Sequence, residues 1–426
     1  MVAASGVAGI LAARCAPAIA QGAALHVVRW NDFIPEADVE LKTRQIPEAE
    51  KALGARIVLE TVPATDVLPR LTAAMRSGSG PDLFHLYYNW PHLYGDALLD
   101  VSDLASEIAD AQGGYYDVFN SSFRAGGAWV GVPHSIVGVA IAYRKSWFEE
   151  AGFALFPRTW EELREATAIL KRRGKPLGQT LGHTFGDADG WAYPLMWAFG
   201  GVETDPSGQR VMIASQATID SVRYMRSLWK EGCYEAGIAW DERRNNRAFH
   251  AGEICATLNG ASIYIGAKRQ AEKLSDEKGR PLYLDIDHAF YPLAGASGQY
   301  PLYFSSGHGV MRYCKNPKLA ADFLRWLHGR DNLRRWLQAS GGYSVAATKE
   351  WENNPMWRGF DKPLQLFRRA GRNARIFGYP AAPSSRATQV HSKYLIVDMY
   401  ARAVQGTAAE SAVAWAEAEM RKVYGV

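Results

Sequence analysis

Residues 126–145 read GGAWVGVPHSIVGVAIAYRK, and this stretch is the most informative about how the chain is organised. Two apolar runs rich in β-branched residues flank a Pro-His-Ser break, where a tight hairpin would carry Asn-Gly or Asp-Gly. Pro133 has no N–H group to donate to a neighbouring strand, which disfavours a return of the chain at this point. The pattern therefore predicts that the chain runs onward from one sheet into another.

Upstream of this stretch, strand and helix patterns alternate. Strand patterns at 25–30, 55–60 and 82–87 are separated by helical patterns at 47–53 and 66–75. The order β-α-β-α-β predicts a mainly parallel sheet flanked by helices. Ligands of such sheets bind beyond the carboxyl ends of the strands, which here carry aromatic and short polar residues. The candidate ligand-binding residues at these ends are Trp30, Asn31, Asp32, Tyr88, Asn89 and Trp90.

The length of the chain and its glycine- or proline-marked breaks predict two lobes. A chain of 426 residues is too long for one ordinary core. Breaks near 131–138, 305–309 and 340–344 are expected to be crossings between the lobes, and several short crossings form a hinge. The expected amino-terminal lobe comprises 24–135 plus 306–341, and the expected carboxy-terminal lobe comprises 136–305 plus 342–426.

The composition is that of a globular protein, with 48% hydrophobic and 22% charged residues. The net charge of +4 comes from short, scattered basic pairs, which argues against a dedicated nucleic-acid surface. No Cys-x-x-Cys or His/Cys zinc spacing occurs, so we expect no metal or cofactor. Cys233 and Cys255 are the nearest cysteine pair after residue 20, and both a disulfide and buried thiols remain open.

The first 20 residues have the pattern of a secretory signal peptide. They are small and apolar, contain no acidic residue and end in Ala18-Ile19-Ala20, an A-x-A cleavage pattern. The basic segment that usually opens such a peptide is missing, and a buried amino-terminal helix is the alternative. We expect export to the periplasm with cleavage near Ala20.

Six segments, in this order along the chain, carry a resemblance to a known family: GSGPDL, WVGVPHSIVGVAIAYRKSWFEEAGF, PRTWEEL, FHAGEICATLNGAS, GHGVMRYCKNPKLAADFLRWL and VQGTAAESAVAWAEAEMRKVY. From about residue 25 onward the chain resembles the family-1 extracellular solute-binding proteins of ABC importers, the maltose-binding-protein-like group. The resemblance implies an α/β, two-lobed periplasmic-binding-protein fold of type II. Each lobe is expected to be a mainly parallel sheet flanked by helices, and residues 126–145 are expected to form the first of several hinge crossings. It also implies a receptor that captures a sugar or another polyhydroxylated solute by hinge closure and delivers it to membrane permease subunits. We expect a monomer that binds and does not catalyse.

The resemblance and the expected crossings add further candidates for solute contacts. They are His134 and Ser135 at the first crossing, Ser306, Gly307 and His308 at the second, Tyr343 at the third, Asp187, Asp189 and Trp191 around a helix whose family counterpart often lines the cleft, Asn259 and Gly260 in a loop that resembles the family's glycine loop, and Arg386 in a polar loop. Simpler roles stay open, among them helix capping by Asp189 and surface solvation of Arg386.

Four other functions remain as alternatives. An exported glycoside hydrolase would need two facing acids, for which Asp32 and Asp187 are the imaginable pair, but no hydrolase motif is present. A ferric-ion receptor would use the tyrosine pairs at 87–88 and 115–116. A receptor for a cationic, polyamine-like solute would use Asp32, Asp187 and Asp189 with aromatic walls, and a phosphorylated solute is also open.

Overall fold

The computed structural model describes residues 22–293, 301–302 and 304–426. The predicted signal peptide lies outside the described residues. The chain divides into two units: the first comprises the described residues up to Ile136 together with Ser305–Met356, and the second comprises Val137–Phe304 and Trp357–Val426. The chain therefore passes from one unit to the other three times.

Within the described residues the strands are β1 (Ala24–Trp30), β2 (Arg56–Val62), β3 (Leu83–Tyr87), β4 (Arg124–Ala125), β5 (Ala128–Trp129), β6 (Val132–Val137), β7 (Ala140–Arg144), β8 (Ala256–Asn259), β9 (Ile286–Ala289), β10 (Phe304–Val310) and β11 (Ser344–Ala346). The helices are α1 (Pro35–Glu40), α2 (Ile46–Leu53), α3 (Ala64–Ser77), α4 (Trp90–Tyr94), α5 (Ser102–Ala111), α6 (Asp117–Ser122), α7 (Lys145–Glu150), α8 (Trp160–Arg172), α9 (Asp187–Ala198), α10 (Gln216–Gly232), α11 (Arg244–His250), α12 (Ser262–Arg269), α13 (Pro317–Leu327), α14 (Arg330–Ala339), α15 (Ser385–Ser392), α16 (Leu395–Val404) and α17 (Ala409–Tyr424). None of these described helices is long and apolar enough to cross a membrane.

The first unit is built on a six-stranded sheet with the order β11-β6-β10-β3-β1-β2. β1 pairs in parallel with β2 and β3, as the alternating strand and helix patterns predict. β10 returns antiparallel to β3, with His308 opposite His85. The carboxyl ends of the three parallel strands therefore meet at one edge of the sheet, where Trp30 and Tyr87 lie.

The stretch 126–145 continues from one sheet into another, as predicted. β6 belongs to the sheet of the first unit, and β7 belongs to the sheet of the second. His134 and Ser135 lie within β6, and the change of unit follows Ile136. Gly138 stands between the two strands, where a Cβ atom would lie 2.6 Å from the Phe367 side chain.

The expected end of the amino-terminal lobe at residue 341 is wrong. β11 belongs to the sheet of the first unit, and the Ala347 N–H donates to the His134 carbonyl at 3.1 Å. The third change of unit follows Met356. The small-residue break at 340–344 is instead a turn inside the first unit, between α14 and β11.

The expectation of a mainly parallel sheet is wrong for the second unit. Its three strands have the order β8-β7-β9, and both pairings are antiparallel. Helix α10 packs against α8, α16 and α17, and α16 also packs against α17. Helix packing therefore forms a substantial part of the core of the second unit.

Two local features of the second unit follow from its sequence and its strand spacing. Thr159 and Glu162 form the reciprocal bonds of a capping box at the start of α8. The pattern Thr-x-x-Glu before an amphipathic run indicates such a box. Leu177 forms parallel bridges to both Cys233 and Ala256, so it separates the chain at Cys233 from the chain at Cys255. The three cysteines of the described residues are buried free thiols.

Candidate functional site

An aromatic band lies at the carboxyl edge of the sheet in the first unit. We define it as Trp30, Phe33, Tyr87, Trp90 and Tyr343. Trp30 lies with its ring centroid 5.4 Å from that of Tyr87, and Tyr87 meets Trp90 edge to face at 5.0 Å. Phe33 connects Trp30, at 6.3 Å, to the stacked ring of Tyr343, at 6.1 Å. Phe33 is the half-buried member of the band, and the other four rings are buried.

Phe33 is absent from the sequence-based candidates, although it follows three of them directly. The loop after β1 carries Trp30, Asn31 and Asp32, and Phe33 is the next residue before α1 begins. An aromatic residue beside a strand end was a usable signal, but only the folded loop shows that its ring joins Trp30 to Tyr343.

Asp32 organises the loop after β1. Its Oδ1 accepts the Ile34 N–H at 3.1 Å, and its Oδ2 lies 3.8 Å from Arg29 Nη2. Burial of the carboxyl group raises the pKa of Asp32 to about 6, against the lowering effect of Arg29. The neighbouring Asn31 is half-buried, and its N–H donates to the Val62 carbonyl at 2.8 Å. Asp32 therefore stabilises the turn into α1.

Tyr88 and Asn89 form the turn between β3 and α4. Tyr88 has a φ of 49°, in the left-handed region that non-glycine residues seldom adopt. Its N–H donates to the Ser305 carbonyl at 3.1 Å, and the Asn89 carbonyl accepts the His92 N–H at 2.8 Å. Both side chains are buried, and Trp90 begins α4 immediately after the turn.

Ser135 and Ser306 are brought together between β6 and β10. Their hydroxyl groups are 2.8 Å apart, and Ser306 also donates to the Ser135 carbonyl at 3.3 Å. Gly307 lies where a Cβ atom would be 2.4 Å from the Phe123 ring and 2.5 Å from the Val132 carbonyl oxygen. Close packing of β10 against these groups explains glycine at this position.

His134 and His308 are buried in the first unit, each with 1% of its surface exposed. Their rings are 5.0 Å apart and lie against His85, His328 and Trp336. Both imidazoles therefore contribute to the core beneath the sheet rather than to an accessible surface.

A polar network occupies the end of β8 in the second unit. We define it as Asp187, Asn245, Asn246, Asn259 and Ser262. Asn245 donates to Asp187 Oδ2 at 2.8 Å, and Asn259 donates to Asn246 Oδ1 at 2.8 Å. Ser262 donates to Asn259 Oδ1 at 2.7 Å and accepts from Asn246 at 3.0 Å. Asp187 and Asn246 are half-buried, so this network presents polar groups at the surface of the unit.

Asp187 holds its proton at a higher pH than an ordinary aspartic acid does. Burial of its carboxyl group and the charge of Glu242 raise the pKa of Asp187 to about 8, against the lowering effect of the Asn245 bond. The carboxyl group is therefore mostly protonated at neutral pH, and it can donate as well as accept a hydrogen bond.

The other candidates of the second unit have neighbours of a structural kind. Asp189 Oδ2 lies 3.0 Å from His391 Nε2, so this residue of α9 connects to α15 and does not cap α9, whose N-cap is Gly186. Trp191 is fully buried, with its ring 5.5 Å from that of Trp160. Gly260 is buried directly after β8. Arg386 is exposed on α15, with its guanidinium 5.9 Å from the ring of Tyr424.

The pair Asn245-Asn246 is the second feature that the sequence-based candidates miss. Both residues stand in the first turn of α11, within an Arg- and Asn-rich segment that reads as an ordinary solvated helix start. Their pairing with Asp187, Asn259 and Ser262 depends on contacts between distant parts of the chain. Among the described residues, no group of three or more His, Cys, Asp and Glu side chains could hold a metal ion.

Comparisons with known proteins agree with this architecture. The family model of the bacterial extracellular solute-binding proteins matches residues 46–358. A probable ABC transporter-binding protein of Deinococcus radiodurans is 26% identical over 283 residues, which are 63% of this chain and 63% of that protein. The aligned part thus spans less than two thirds of that relative's length.

Solved structures show the same fold at low sequence identity. Maltose-bound MalE3 of T. maritima superposes with a TM-score of 0.78 at 18% identity, covering 94% of this chain and 99% of that one. An ABC transporter solute-binding protein of Agrobacterium radiobacter in complex with ribitol gives a TM-score of 0.75 at 18% identity, covering 94% and 98%. These likenesses confirm the predicted two-lobed α/β fold.

Proposed function

The chain belongs to the bacterial extracellular solute-binding protein family, and we propose that it captures a sugar or another polyhydroxylated solute and delivers it to the permease of an ABC importer. Periplasmic location after cleavage near Ala20, a monomeric state and the hinge closure that the family resemblance implies are parts of this proposal. It includes no catalytic step, because solute capture only requires that binding favours one conformation.

The aromatic band of the first unit is the observation that carries the proposal. Aromatic faces cover the C–H surfaces of sugar rings, while amide and hydroxyl groups satisfy the sugar hydroxyls. The band offers the first kind of surface, with half-buried Phe33 as its accessible ring. The polar network of the second unit offers the second kind, through Asp187 and Asn246. We propose that Phe33, Asn31, Asp187, Asn246 and Asn259 contact the solute.

The state of the carboxyl groups favours an uncharged solute over a polyamine-like cation. Asp32 lies beside Arg29 and accepts a backbone N–H, and Asp189 is paired with His391. Asp187 is the third carboxyl group considered for a cation, and its raised pKa of about 8 keeps it mostly neutral at pH 7. A cation would therefore find little negative charge among these three groups.

The tyrosine pairs considered for ferric iron are buried. Tyr87, Tyr88, Tyr115 and Tyr116 each expose 5% of their surface or less. Burial raises the pKa of Tyr87 and Tyr115 well above the ordinary value, which opposes the phenolate form that binds iron. We do not propose iron as the solute.

A thermal-shift panel followed by titration calorimetry tests the proposed function. The panel contains mono- and oligosaccharides, polyols, polyamines, phosphorylated sugars and ferric citrate. A solute that binds the native state raises the melting temperature by mass action, and we expect responses among uncharged sugars or polyols. Responses confined to polyamines, phosphates or iron would overturn the proposed solute class, and turnover of chromogenic glycosides would overturn the binding-only role.

A further inference from the structure

The first unit contains a row of four buried histidines, three of them on neighbouring strands and one at the end of a helix. We define the histidine row as His134 on β6, His308 on β10 and His85 on β3, together with His328 at the end of α13. His308 stands opposite His85 in the β10–β3 register, and their rings stack at 4.8 Å. His134 meets His308 at 5.0 Å and His328 at 5.1 Å, both edge to face. The four rings therefore form one continuous cluster.

The histidine row is closed off from solvent on all sides. The exposed fraction of each of the four side chains is 3% or less. The Trp336 ring on α14 lies 4.6 Å from the His134 ring. Among the described residues, the Tyr87 hydroxyl forms a hydrogen bond with one of these rings, at 2.8 Å from His85 Nδ1. Both ring nitrogens of His134 lack a hydrogen-bond partner among the described residues.

The charged group nearest to the histidine row is itself a cation. Arg29 follows the register of β1 beside β3, which places it next to His85, and its guanidinium lies 5.5 Å from the Trp336 ring. Asp32 lies 3.8 Å from Arg29, and Asp38 of α1 accepts the Asp32 N–H at 3.0 Å. The carboxylates of this region are thus occupied with Arg29 and the loop after β1 rather than with the imidazoles.

Protonation of the row would place several imidazolium cations beside one another and beside Arg29 in a buried core. Burial lowers the pKa of His85, His134 and His308 well below the ordinary value, and the neighbouring histidines and Arg29 lower it further. Burial alone lowers the pKa of His328 to about 3. An unfolded chain releases these rings to water, where each binds a proton at about pH 6.5. The unfolded state therefore binds more protons than the folded one in mild acid, and stability falls as the pH falls.

We propose that the histidine row is a proton-sensitive element that keeps the first unit folded at neutral pH and opens it in mild acid. The row adjoins two members of the aromatic band, Trp30 and Tyr87, and the sequence-based candidates Ser135 and Gly307. Arg29 precedes Trp30, His134 precedes Ser135, His308 follows Gly307, and His85 bonds to Tyr87 of the aromatic band. Opening of the first unit at the row would therefore disrupt the aromatic band and release the solute. The release of solute rests on the proposed function, whereas the opening itself does not.

Hydrogen–deuterium exchange of the full chain without solute tests the opening. After correction for intrinsic exchange, the opening constant of peptides from β3, β6 and β10 should rise by up to about 10,000-fold between pH 7.5 and 5.5, or about tenfold for each of four histidines. Peptides from β7, β8 and β9 should show no such rise, because the raised pKa of Asp187 and of Glu203 stabilises the second unit as the pH falls and opposes the effect of His288.

Substitutions assign the effect to the row. Relative to wild type, His134→Leu and His308→Leu should each lower the opening constant at pH 5.5 about tenfold, because leucine has no proton to bind. His183→Leu, an exposed histidine of the second unit, is the matched control and should leave the pH dependence unchanged.

Three results would overturn the proposal. The first is a change of less than about tenfold in the opening constant of the β3, β6 and β10 peptides. The second, measured on wild type by NMR and independent of any variant's folding, is ordinary titration of these four histidines in the folded chain. The third is a rise in melting temperature on adding zinc that His134→Leu abolishes, which would make the row a metal site. Failure of the sugar panel would leave all three measurements intact.

Discussion

The two units of the protein bury titratable groups of opposite kinds. The first unit buries the four imidazoles of the histidine row, whose pKa values are lowered. The second unit buries the carboxyl groups of Asp187 and Glu203, and burial raises the pKa of each to about 8. Each unit also has a group of the other kind, Asp32 with a pKa of about 6 and His288 with a pKa of about 4.

This difference gives the units opposite responses to pH. A buried neutral histidine binds its proton less readily than in the unfolded chain, so its contribution to stability is lost as the pH falls below about 6.5. A buried carboxyl with a raised pKa favours folding below about pH 4.3, and that contribution is lost as the pH rises toward the folded pKa. These groups therefore lower the stability of the first unit at acidic pH and that of the second unit at alkaline pH.

Glu203→Gln is expected to have the largest effect on this comparison. Glu203 is fully buried, with one carboxyl oxygen bonded to the Gly378 N–H. Glutamine keeps an acceptor for that bond but has no proton to lose. At pH 8 the substitution should stabilise the second unit by on the order of 4 kcal/mol, and at pH 5 by about 1 kcal/mol or less.

Urea unfolding at the two pH values measures this change. The exposed Glu272→Gln is the control and should show no such pH dependence. An equal effect of Glu203→Gln at both pH values would show that the carboxyl group is ionised in the folded chain and would remove this half of the comparison.

Gly307→Ala tests the packing of the first unit alone. The added methyl group would lie 2.4 Å from the Phe123 ring and 2.5 Å from the Val132 carbonyl oxygen, so β10 or its neighbours must move. We expect a loss of about 1–3 kcal/mol in the free energy of unfolding of the first unit. Gly359→Ala, which meets no atom within 4 Å, is the control. Exchange peptides from the second unit should be unaffected, because Phe123 and Val132 both lie in the first unit, and an equal loss of protection in both units would contradict this local packing effect.

Phe33→Ala tests the aromatic surface against the polar one. The substitution removes the half-buried ring that joins Trp30 to Tyr343. Calorimetry should show about tenfold weaker binding of every sugar or polyol that responds, because an aromatic face contacts C–H groups without distinguishing hydroxyl patterns. Val58→Ala, at a part-exposed position on β2 of the same unit, should bind with unchanged affinity. Unaltered affinity in Phe33→Ala would exclude the band from the solute site.

Asn246→Ala should have the smallest effect on affinity, and it should also change the selectivity among sugars. It removes the acceptor for Asn259 and the donor for Ser262, so the polar network loses its order. We expect affinity to fall threefold to tenfold, or about 0.5–1.5 kcal/mol, and to fall unequally among sugars that differ in the orientation of one hydroxyl. The exposed Arg386→Ala is the control and should match wild type. An equal loss for all solutes would assign Asn246 to the stability of the second unit.

Some of this architecture could be predicted because it depends on neighbours along the chain. The strands β1, β2 and β3 with their intervening helices follow from short-range periodicity, and the capping box at Thr159 follows from one four-residue pattern. The crossing at residues 126–145 follows from Pro133 and the two apolar runs beside it. The binding residues at strand ends were predictable as a region, but only Asn31, Asp187 and Asn259 of the residues we now propose were named individually.

Sequence patterns alone predicted the first three strands with their intervening helices, the continuation of the chain from one sheet into another and the family. Those features depend on backbone geometry and on patterns that repeat within about twenty residues. The tertiary structure was needed to show that β11 completes the first sheet, that Asn245 and Asn246 connect Asp187 to Asn259, and that four histidines from separate segments share one buried core. These features arise where residues far apart in the chain meet, because hydrogen bonding, burial and proton affinity depend on neighbours in space.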